Sequence, residues 1–262
     1  MNALREHVVF VTGGSRGLGQ VLVESAARAG ASVFFTGRDA AALDAVARTL
    51  HGLPVESMVA DVTDAEQMSA AAARAAERFG TVDVLVNNAG VGGPAGKPTW
   101  ELDGDEWWAT LEINLRGCDI TTRAVLPVIL AAGGGRVINI VSKAGRLRWP
   151  FVSAYSVSKA AVIKLTENIA REAKSRNVKF FAYDPGLLDV GIGRAGFELA
   201  EKLAARGHTG TVATNRFVDW ASAAKASVTP LPVVEAQFRE LCSGVHDEWA
   251  GGYVCADDLR GS

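Results

Sequence analysis

Cysteine is scarce in this sequence, and the few cysteines present form no pattern. The 262 residues include three, Cys118, Cys242 and Cys255. An odd and widely spaced set favours free thiols in a reducing compartment over a disulfide framework, and the paired Cys/His spacing of a metal site is missing. We therefore expect no metal site and a cytoplasmic location.

An excess of charge of one sign and long hydrophobic runs are also missing. Lysine and arginine number 27 against 29 aspartates and glutamates, a formal net charge of −2, so nothing in the charge favours a nucleic-acid partner. The apolar run from Val8 to Val11 is too short for the core of a signal peptide. No segment approaches the roughly 18 apolar residues of a membrane span, and we expect no membrane partner.

Glycine, by contrast, is abundant, with 28 residues in a chain that is 48% hydrophobic. This composition suits one large α/β domain. The strand-like run from Val8 to Val11 leads into TGGSRGLG at residues 12–19, and an alanine-rich helical segment follows. Strand, glycine turn and helix start together predict a cradle for a pyrophosphate. A glycine-rich turn without a ligand is the alternative interpretation.

Strand-like and helix-like segments then alternate along the chain, which predicts a doubly wound parallel sheet whose strands all end at one edge. The predicted strands cover residues 8–11, 32–36, 55–60, 82–86, 135–141, 178–183 and 252–256. A long helix is predicted over residues 105–132, kinked or broken at Pro127. Another is predicted over residues 153–176, with Ala161, Leu165 and Ile169 on its buried stripe.

The tip of the second predicted strand carries no carboxylate. Thr36 and Gly37 are followed by Arg38, and Asp39 suits the N-cap of the next helix. Dinucleotide folds that bind NAD usually place an acidic residue at this tip, whereas arginine binds the 2′-phosphate of NADP. Arg38 and Arg16 therefore favour NADP(H) over NAD(H), although Arg38 can also be read as an ordinary surface arginine.

Tyr155 and Lys159 are four residues apart in a predicted helix and so share one face. An ammonium close to a phenol lowers its pKa and makes it a usable proton donor or acceptor. Taken alone, the pair is more typical of a solvated helix face. Ser142 lies at the tip of the fifth predicted strand, on the same edge as the glycine turn. Asn114 lies within a helix, where asparagine usually faces solvent.

Six features in this order, TGGSRGLG, NNAG, Asn114, Ser142, YSVSK and DPG, resemble the short-chain dehydrogenase/reductase family over nearly the whole chain. The resemblance implies one Rossmann-like domain over residues 1–262 with a seven-stranded sheet. It implies an NADP(H)-dependent enzyme that interconverts a small ketone or aldehyde and an alcohol, assembled as a homotetramer or homodimer. Non-redox chemistry such as dehydration or epimerisation, and a non-catalytic cofactor sensor, are the alternatives.

The resemblance also implies roles by position. Tyr155 would be the acid in reduction and the base in oxidation. Lys159 would lower its pKa and bind the nicotinamide ribose, Ser142 would hold the carbonyl oxygen, and Asn114 would anchor a water next to Lys159. The other implied cofactor contacts are Gly13, Ser15, Arg16, Gly17 and Leu18 at the phosphates, Arg38 at the 2′-phosphate, Asp61 and Val62 at the adenine, Asn88 at the adenosine half, Gly90, and Pro185, Gly186 and Leu188 at the nicotinamide.

The sequence departs from the family pattern near its C-terminal end. Val190 stands where the family often has a threonine that holds the nicotinamide amide, and Asp257 and Asp258 replace the common Asp-Gly-Gly. Residues 187–230 are longer than the usual substrate loop, with helices expected near residues 194–206 and 215–226. We interpret this segment as a substrate lid, and the alternative is an insertion for packing or subunit contact.

Trp149, Pro150 and Phe151 lie between Ser142 and Tyr155. In the family, this segment often walls the substrate pocket. The two aromatic side chains therefore lead to the hypothesis of an apolar or aromatic substrate, similar to a polyketide.

Overall fold

The computed structural model describes residues 3–205 and 212–260, without the side chains of residues 212–214 and 260. Part of the expected lid, including the end of its first predicted helix at Arg206, lies outside the described residues. In the described ranges, no helix is long and apolar enough to cross a membrane, and no group of three or more acidic, histidine or cysteine residues could hold a metal ion.

The strands form one parallel sheet in the order β3-β2-β1-β4-β5-β6-β7. They are β1 (Val8–Val11), β2 (Ser32–Gly37), β3 (Val55–Val59), β4 (Val84–Asn87), β5 (Gly135–Ile140), β6 (Val178–Asp184) and β7 (Tyr253–Cys255). The predicted doubly wound parallel sheet is thereby confirmed. The strand order reverses between β1 and β4, so the loops after these strands separate and leave a crevice.

Helices connect the strands and cover both faces of the sheet. The α-helices of the described chain are α1 (Gly17–Arg28), α2 (Ala40–Thr49), α3 (Ala65–Phe79), α4 (Gly104–Leu111), α5 (Gly117–Ala131), α6 (Ser153–Glu172), α7 (Gly191–Ala205), α8 (Val212–Ala224) and α9 (Leu231–Ser243). Helices α7 and α8 confirm the two predicted within residues 187–230, whereas α9 had no counterpart in the sequence prediction.

Alternate residues of each central strand face two separate hydrophobic cores. Val9 and Val11 pack with side chains of α1 and α9, whereas Val8 and Phe10 pack with side chains of α3 and α5. Because both faces of the sheet are covered, β1 is a continuous apolar run instead of an alternating one. A fully buried side chain such as Phe10 contributes about 1.5–3 kcal/mol to folding, so these layers hold the strand ends rigidly.

The predicted long helix around Asn114 is interrupted, but not at Pro127. Helix α4 ends at Leu111, a π-helical turn covers Glu112–Arg116, and α5 then continues through Pro127 to Ala131. The missing N–H of proline costs α5 one hydrogen bond but does not end it. A π turn contains an extra residue, and it arises here from packing that the sequence pattern does not report.

The buried stripe of α6 also differs from the prediction. Ala161, Leu165 and Ile169 are only partly buried, and the stripe that packs inward contains Ala154, Ser158, Lys159, Val162, Ile163 and Thr166. Half of these residues are polar, because this face carries functional and hydrogen-bonding groups. The apolar spacing therefore identified only the edge of the buried face, where Ile169 packs against the core, and missed its polar centre.

Candidate active site

A cavity of about 1270 Å³ opens at the carboxyl ends of the central strands, where the strand order reverses. All the predicted cofactor residues line it, namely Gly13, Ser15, Arg16, Gly17, Leu18, Arg38, Asp61, Val62, Asn88, Gly90, Tyr155, Lys159, Pro185, Gly186 and Leu188. Ser142 lines it as well. The fold therefore brings residues from seven separate segments of the chain to one crevice.

The turn between β1 and α1 requires glycine at two positions. Gly13 has a φ of +65°, and a Cβ there would lie 2.9 Å from Cα of Ala89. Gly17 has a φ of +58°, and its Cβ would lie 3.0 Å from Cα of Gly191. Both residues adopt a left-handed backbone that other residues rarely tolerate. The turn can consequently expose its backbone to a ligand at close range.

The amino end of α1 is open toward this turn. The side chains of Asp39, Asp64 and Asp103 accept hydrogen bonds from the first turns of α2, α3 and α4. In contrast, no described side chain caps α1, and its first turn contains no acidic residue. Unpaired N–H groups and the positive end of the helix dipole favour an anion at this position. The turn fits the diphosphate of a dinucleotide.

Asn88 and Thr12 hold the glycine turn in place. The amide of Asn88 donates to the carbonyl oxygens of Thr12 at 2.9 Å and Gly13 at 3.2 Å. The hydroxyl of Thr12 accepts from the N–H groups of Asn88 and Ala89 at 3.0 Å each. Asn88 therefore shapes the cradle through its side chain, and its contact with the adenosine half of a cofactor stays a prediction.

Arg38 lies directly after β2 at the far end of the cavity. Its Nη1 is 3.7 Å from Oδ2 of Asp61, and its side chain is 62% exposed, so this ion pair contributes little and leaves the guanidinium accessible. Burial acts to raise the pKa of Asp61, but hydrogen bonds from Thr63 and the charge of Arg38 outweigh it and hold the pKa below its usual range. Asp39 caps α2 through the N–H of Ala42 at 3.1 Å, as predicted.

Ser142 and Tyr155 meet at the opposite end. Ser142 follows β5, and Tyr155 lies in the first turn of α6. Burial raises the pKa of Tyr155 to about 12, although a side-chain hydrogen bond with Ser142 acts in the opposite direction. The phenol therefore carries its proton at neutral pH and lies within reach of the serine hydroxyl.

Lys159 lies one helical turn from Tyr155, and its ammonium binds a main-chain carbonyl. Its Nζ donates to the carbonyl oxygen of Ile140 at 2.8 Å and lies 5.7 Å from the centre of the Tyr155 ring. Burial lowers the pKa of Lys159 to about 8. The spacing predicted that Lys159 would lower the pKa of Tyr155. In this structure that pKa is raised instead, because burial outweighs the other influences on the phenol.

Asn114 is absent from the described residues that line the cavity and lies behind its wall, in the π turn. It is 2% exposed, contrary to the usual position of a helical asparagine. Its Oδ1 accepts from the N–H of Val91 at 2.8 Å, and its amide donates to the carbonyl of Val91 at 2.9 Å and to Ser158 at 3.0 Å. Asn114 thus fixes the segment after β4 against α6.

Helices α7 and α8 form a small hydrophobic core of their own over one end of the cavity. Trp220 of α8 and Trp149 both line the cavity, and their rings meet edge to face with centres 4.9 Å apart. Phe151, which we expected beside Trp149, is absent from the described lining residues. Its backbone has a φ of +68°, and its carbonyl accepts from the N–H of Gly96 at 2.9 Å, so it fixes a turn instead.

The three residues that depart from the family pattern, Val190, Asp257 and Asp258, have distinct positions. Val190 lines the cavity and packs partly against the core, so it brings no hydroxyl to the site. Asp257 also lines the cavity, and its Oδ2 is 3.1 Å from Nζ of Lys143. Asp258 instead accepts from the N–H of Cys255 at 2.8 Å. One aspartate therefore belongs to the site, whereas the other closes the turn after β7.

Other residues of the cavity wall were missed by the sequence reasoning, among them Lys143, Asp184, Trp220 and Thr229. Lys143 follows Ser142, and Asp184 ends β6, so the rule that strand ends collect at one edge could have found both. Trp220 and Thr229 come from the far side of the α7–α8 region. Their position follows from packing between distant segments, and no local sequence signal indicates it.

A sequence model described as short chain dehydrogenase matches residues 7–198. This range includes the glycine turn, Ser142, Tyr155 and Lys159. The chain belongs to the short-chain dehydrogenase/reductase family. The family consists of oxidoreductases that use NAD(H) or NADP(H), which agrees with a cavity that joins an anion cradle to a Ser–Tyr–Lys group.

Among relatives, the short chain dehydrogenase mpl6 of Monascus purpureus is 39% identical over 190 residues, which cover 70% of this chain and 65% of that protein. The matched part is therefore slightly less than two thirds of the relative's length. A 3-oxoacyl-[acyl-carrier-protein] reductase of Synechocystis sp. is 34% identical over 194 residues, 72% of this chain and 76% of that protein.

A solved structure of a short-chain dehydrogenase/reductase is similar over almost the entire chain. A variant of actinorhodin polyketide ketoreductase, solved with NADPH, superimposes with a TM-score of 0.83 at 25% identity, and the match covers 99% of both chains. The similarity extends beyond the segment that the family model matches. It therefore includes α8 and α9, which lie after the last residue that the family model matches.

Proposed function

We propose that this short-chain dehydrogenase/reductase is an NADP(H)-dependent, ketoreductase-like enzyme that interconverts a ketone or aldehyde and the corresponding alcohol. The observation that carries the proposal is the convergence of Ser142, Tyr155 and Lys159 in the same cavity as an uncapped glycine turn. Bound NADPH would supply the hydride. The chain itself would orient the carbonyl, polarise it and provide the proton.

Tyr155 is the proposed general acid. Its raised pKa keeps the phenol protonated at neutral pH, so it can donate a proton to the oxygen that becomes an alkoxide during reduction. The hydroxyl of Ser142, which acts to lower the pKa of the phenol, would hold the same oxygen and stabilise its developing charge. In the oxidation direction, Tyr155 would accept the proton of the alcohol.

Lys159 is proposed to act beside Tyr155 as a buried cation. Its pKa near 8 leaves it charged at neutral pH, and it lines the cavity next to the phenol. A positive charge at this position favours the phenolate that forms when Tyr155 donates its proton. Lys159 would also bind the nicotinamide ribose. Asn114 is proposed to support this arrangement through Val91 and Ser158 rather than by contact with a substrate.

NADP(H) is the proposed cofactor because of the charge at the end of β2. Arg38 is accessible beside the cavity: Asp39 is engaged in the cap of α2, and Asp61, hydrogen-bonded to Thr63, pairs with Arg38 only at 3.7 Å. An arginine fork matches a 2′-phosphate. The NADPH in the solved structure of the actinorhodin enzyme agrees with this choice.

An apolar or aromatic ketone is the proposed substrate, and the segment of residues 187–230 is the proposed lid. Trp149 and Trp220 give the cavity an aromatic wall that connects α8 with the loop before Tyr155. Aromatic walls of this type suit planar apolar ligands. Two of the similar proteins, the polyketide ketoreductase and the 3-oxoacyl reductase, have names that indicate carbonyl substrates.

The test is NADPH consumption with a panel of aliphatic, aromatic and polycyclic ketones. We expect wild-type protein to oxidise NADPH with at least one aromatic ketone, and Tyr155→Phe to be about 10²–10⁴-fold slower. Tyr155→Phe keeps the ring and loses only the phenol oxygen. NADPH binding without turnover of any ketone would favour the sensor interpretation, and retained turnover in Tyr155→Phe would refute the assigned acid.

A further inference from the structure

Asp184 is a buried acidic residue at the cavity that the proposed mechanism does not use. It is the last residue of β6, is 2% exposed, and lines the cavity beside Pro185 and Gly186. A carboxylate removed this far from water requires hydrogen-bond donors or cations around it. The partners of Asp184 therefore indicate its role.

Donors from three parts of the active-site edge converge on this carboxylate. The N–H of Gly186 donates to Oδ1 at 2.9 Å, and the hydroxyl of Tyr253 in β7 donates to Oδ2 at 2.5 Å. The main-chain N–H of Lys143, directly after Ser142, faces the same carboxylate and acts against the rise in its pKa. Asp184 thus connects the segment after β5, the turn after β6 and strand β7 at one point.

The charge of Asp184 also affects the pKa of Tyr155, the proposed acid. Burial raises the pKa of Asp184, while the hydrogen bonds from Tyr253, Gly186 and Lys143 act against that rise. The charge of Asp184 adds to the burial that raises the pKa of Tyr155, and it opposes the burial that lowers the pKa of Lys159. The titratable groups around Asp184 are Lys143, Tyr155, Lys159 and Tyr253, with Arg146, Cys255 and Asp257 one contact further out.

We propose that Asp184 is a positioning residue that fixes Ser142 and the Pro185–Gly186 turn relative to Tyr155 by binding both segments, together with Tyr253, through one buried carboxylate. This inference rests on the proposed ketoreductase function and adds β7 to the elements that shape the site. Without the carboxylate, the hydroxyl of Tyr253 and the N–H groups of Gly186 and Lys143 lose their acceptor, and the two segments shift. A displacement of about 1 Å can lower a rate by about 100-fold.

The kinetic test is Asp184→Asn, which has nearly the same size but only one acceptor oxygen for three donors. We expect kcat to fall about 10- to 100-fold, with a change in the KM for NADPH below about threefold. The alkaline decline of kcat/KM should also move to lower pH, because the charge that raises the pKa of Tyr155 and Lys159 is lost. A role in folding alone would not move that decline.

Hydrogen–deuterium exchange provides a readout that does not depend on activity. Peptides that contain Lys143 and Gly186 should exchange faster in Asp184→Asn than in the wild type, whereas peptides from α2 should not change. If the wild type reduces no ketone but exchange still rises in the variant, the proposed function fails and the positioning role stands. Unchanged exchange together with an unchanged pH profile would overturn the positioning role.

Tyr253→Phe keeps the proposal testable if Asp184→Asn does not fold. This variant retains the carboxylate and two of its donors, so we expect faster exchange at Lys143 and Gly186 and a fall in kcat smaller than that of Asp184→Asn. Wild-type exchange at both amides in Tyr253→Phe would count against the three-way connection. Thermal unfolding curves show whether each variant is folded under the conditions of the kinetic and exchange experiments.

Discussion

At the scale of single residues, burial changes the acid–base behaviour of the two side chains that the sequence spacing pairs. Tyr155 is shifted to a higher pKa, about 12, and Lys159 to a lower one, about 8. Both shifts have the same cause, since burial disfavours the charged form of either group. The phenol of Tyr155 is therefore protonated at neutral pH and available as a proton donor. The ammonium of Lys159 is the group whose charge changes near physiological pH.

This difference predicts the pH dependence of ketone reduction. We expect kcat/KM to be nearly constant from about pH 6 to pH 8 and to decline above about pH 8, because Lys159 is charged below its pKa of about 8 and neutral above it. Tyr155 keeps its proton over this whole range. Initial rates between pH 6 and pH 10 measure the profile. Lys159→Arg, which stays charged, should abolish the decline, and an identical decline in that variant would contradict the assignment.

Arg38 leads to a prediction about cofactor choice. Arg38→Asp should raise the KM for NADPH about 10- to 100-fold, the usual value of hydrogen bonds to a charged group, and should change the KM for NADH far less. The exposed Arg48 of α2 is a matched control, and Arg48→Asp should leave both values near wild type. Equal losses with the two cofactors in Arg38→Asp would argue against 2′-phosphate binding.

At the scale of elements, the π turn between α4 and α5 directs a polar side chain into the protein. Asn114 is buried within this turn and makes three hydrogen bonds, two to the main chain of Val91 and one to Ser158. A Cβ at Gly90 would lie 3.1 Å from Oδ1 of Asn114 and 3.7 Å from Nζ of Lys159. The turn after β4, the π turn and α6 are consequently packed around one asparagine.

Asn114→Ala should therefore destabilise the protein as a whole. Each buried partner left unsatisfied costs about 1–3 kcal/mol, and a loss of 1 kcal/mol lowers the Tm by about 2–4 °C in a domain of 150–250 residues. We expect thermal unfolding to show a decrease of several degrees. Asn114→Asp, which keeps the acceptor for Val91 but loses both donors, should be affected as well. An unchanged Tm in both variants would show that these hydrogen bonds do not stabilise the fold.

The helices of residues 187–230 lead to a prediction about substrate size. Trp220→Ala removes the edge-to-face contact with Trp149, a type of contact that contributes about 0.5–1.5 kcal/mol. We expect the KM for a polycyclic ketone to rise by up to about tenfold, with little change for a small aliphatic ketone. Trp100, which is 85% exposed, is the control position. A similar rise for both ketones would favour a packing role for α8 over a substrate lid.

At the scale of the whole molecule, the parallel sheet explains why residues far apart in the chain share one site. Every strand points the same way, so the residues that follow β1, β2, β4, β5 and β6 meet at one edge. The assembly of such domains into a homodimer or homotetramer through the long helices, and their cytoplasmic location, stay predictions of the family resemblance.

Local patterns in the sequence were sufficient for much of this architecture. The continuous apolar run of β1, the glycine turn after it and the absence of a carboxylate at the tip of β2 each depend on neighbouring residues. Strand and helix periodicity also act over short distances, so the alternation predicted the parallel sheet correctly. The strand-end rule placed Ser142 beside the glycine turn, and the family resemblance added Tyr155 and Lys159 to the same site.

The tertiary structure decided what depends on contacts between distant segments. It placed Asn114 in a buried π turn, turned a polar face of α6 inward, used Phe151 for a loop and Trp220 for the cavity wall, and gave Asp184 donors from the turn after β6 and from β7. The hydrophobic periodicity of the sequence does not predict these features. They follow from which surfaces pack together and which polar groups must then find partners away from water.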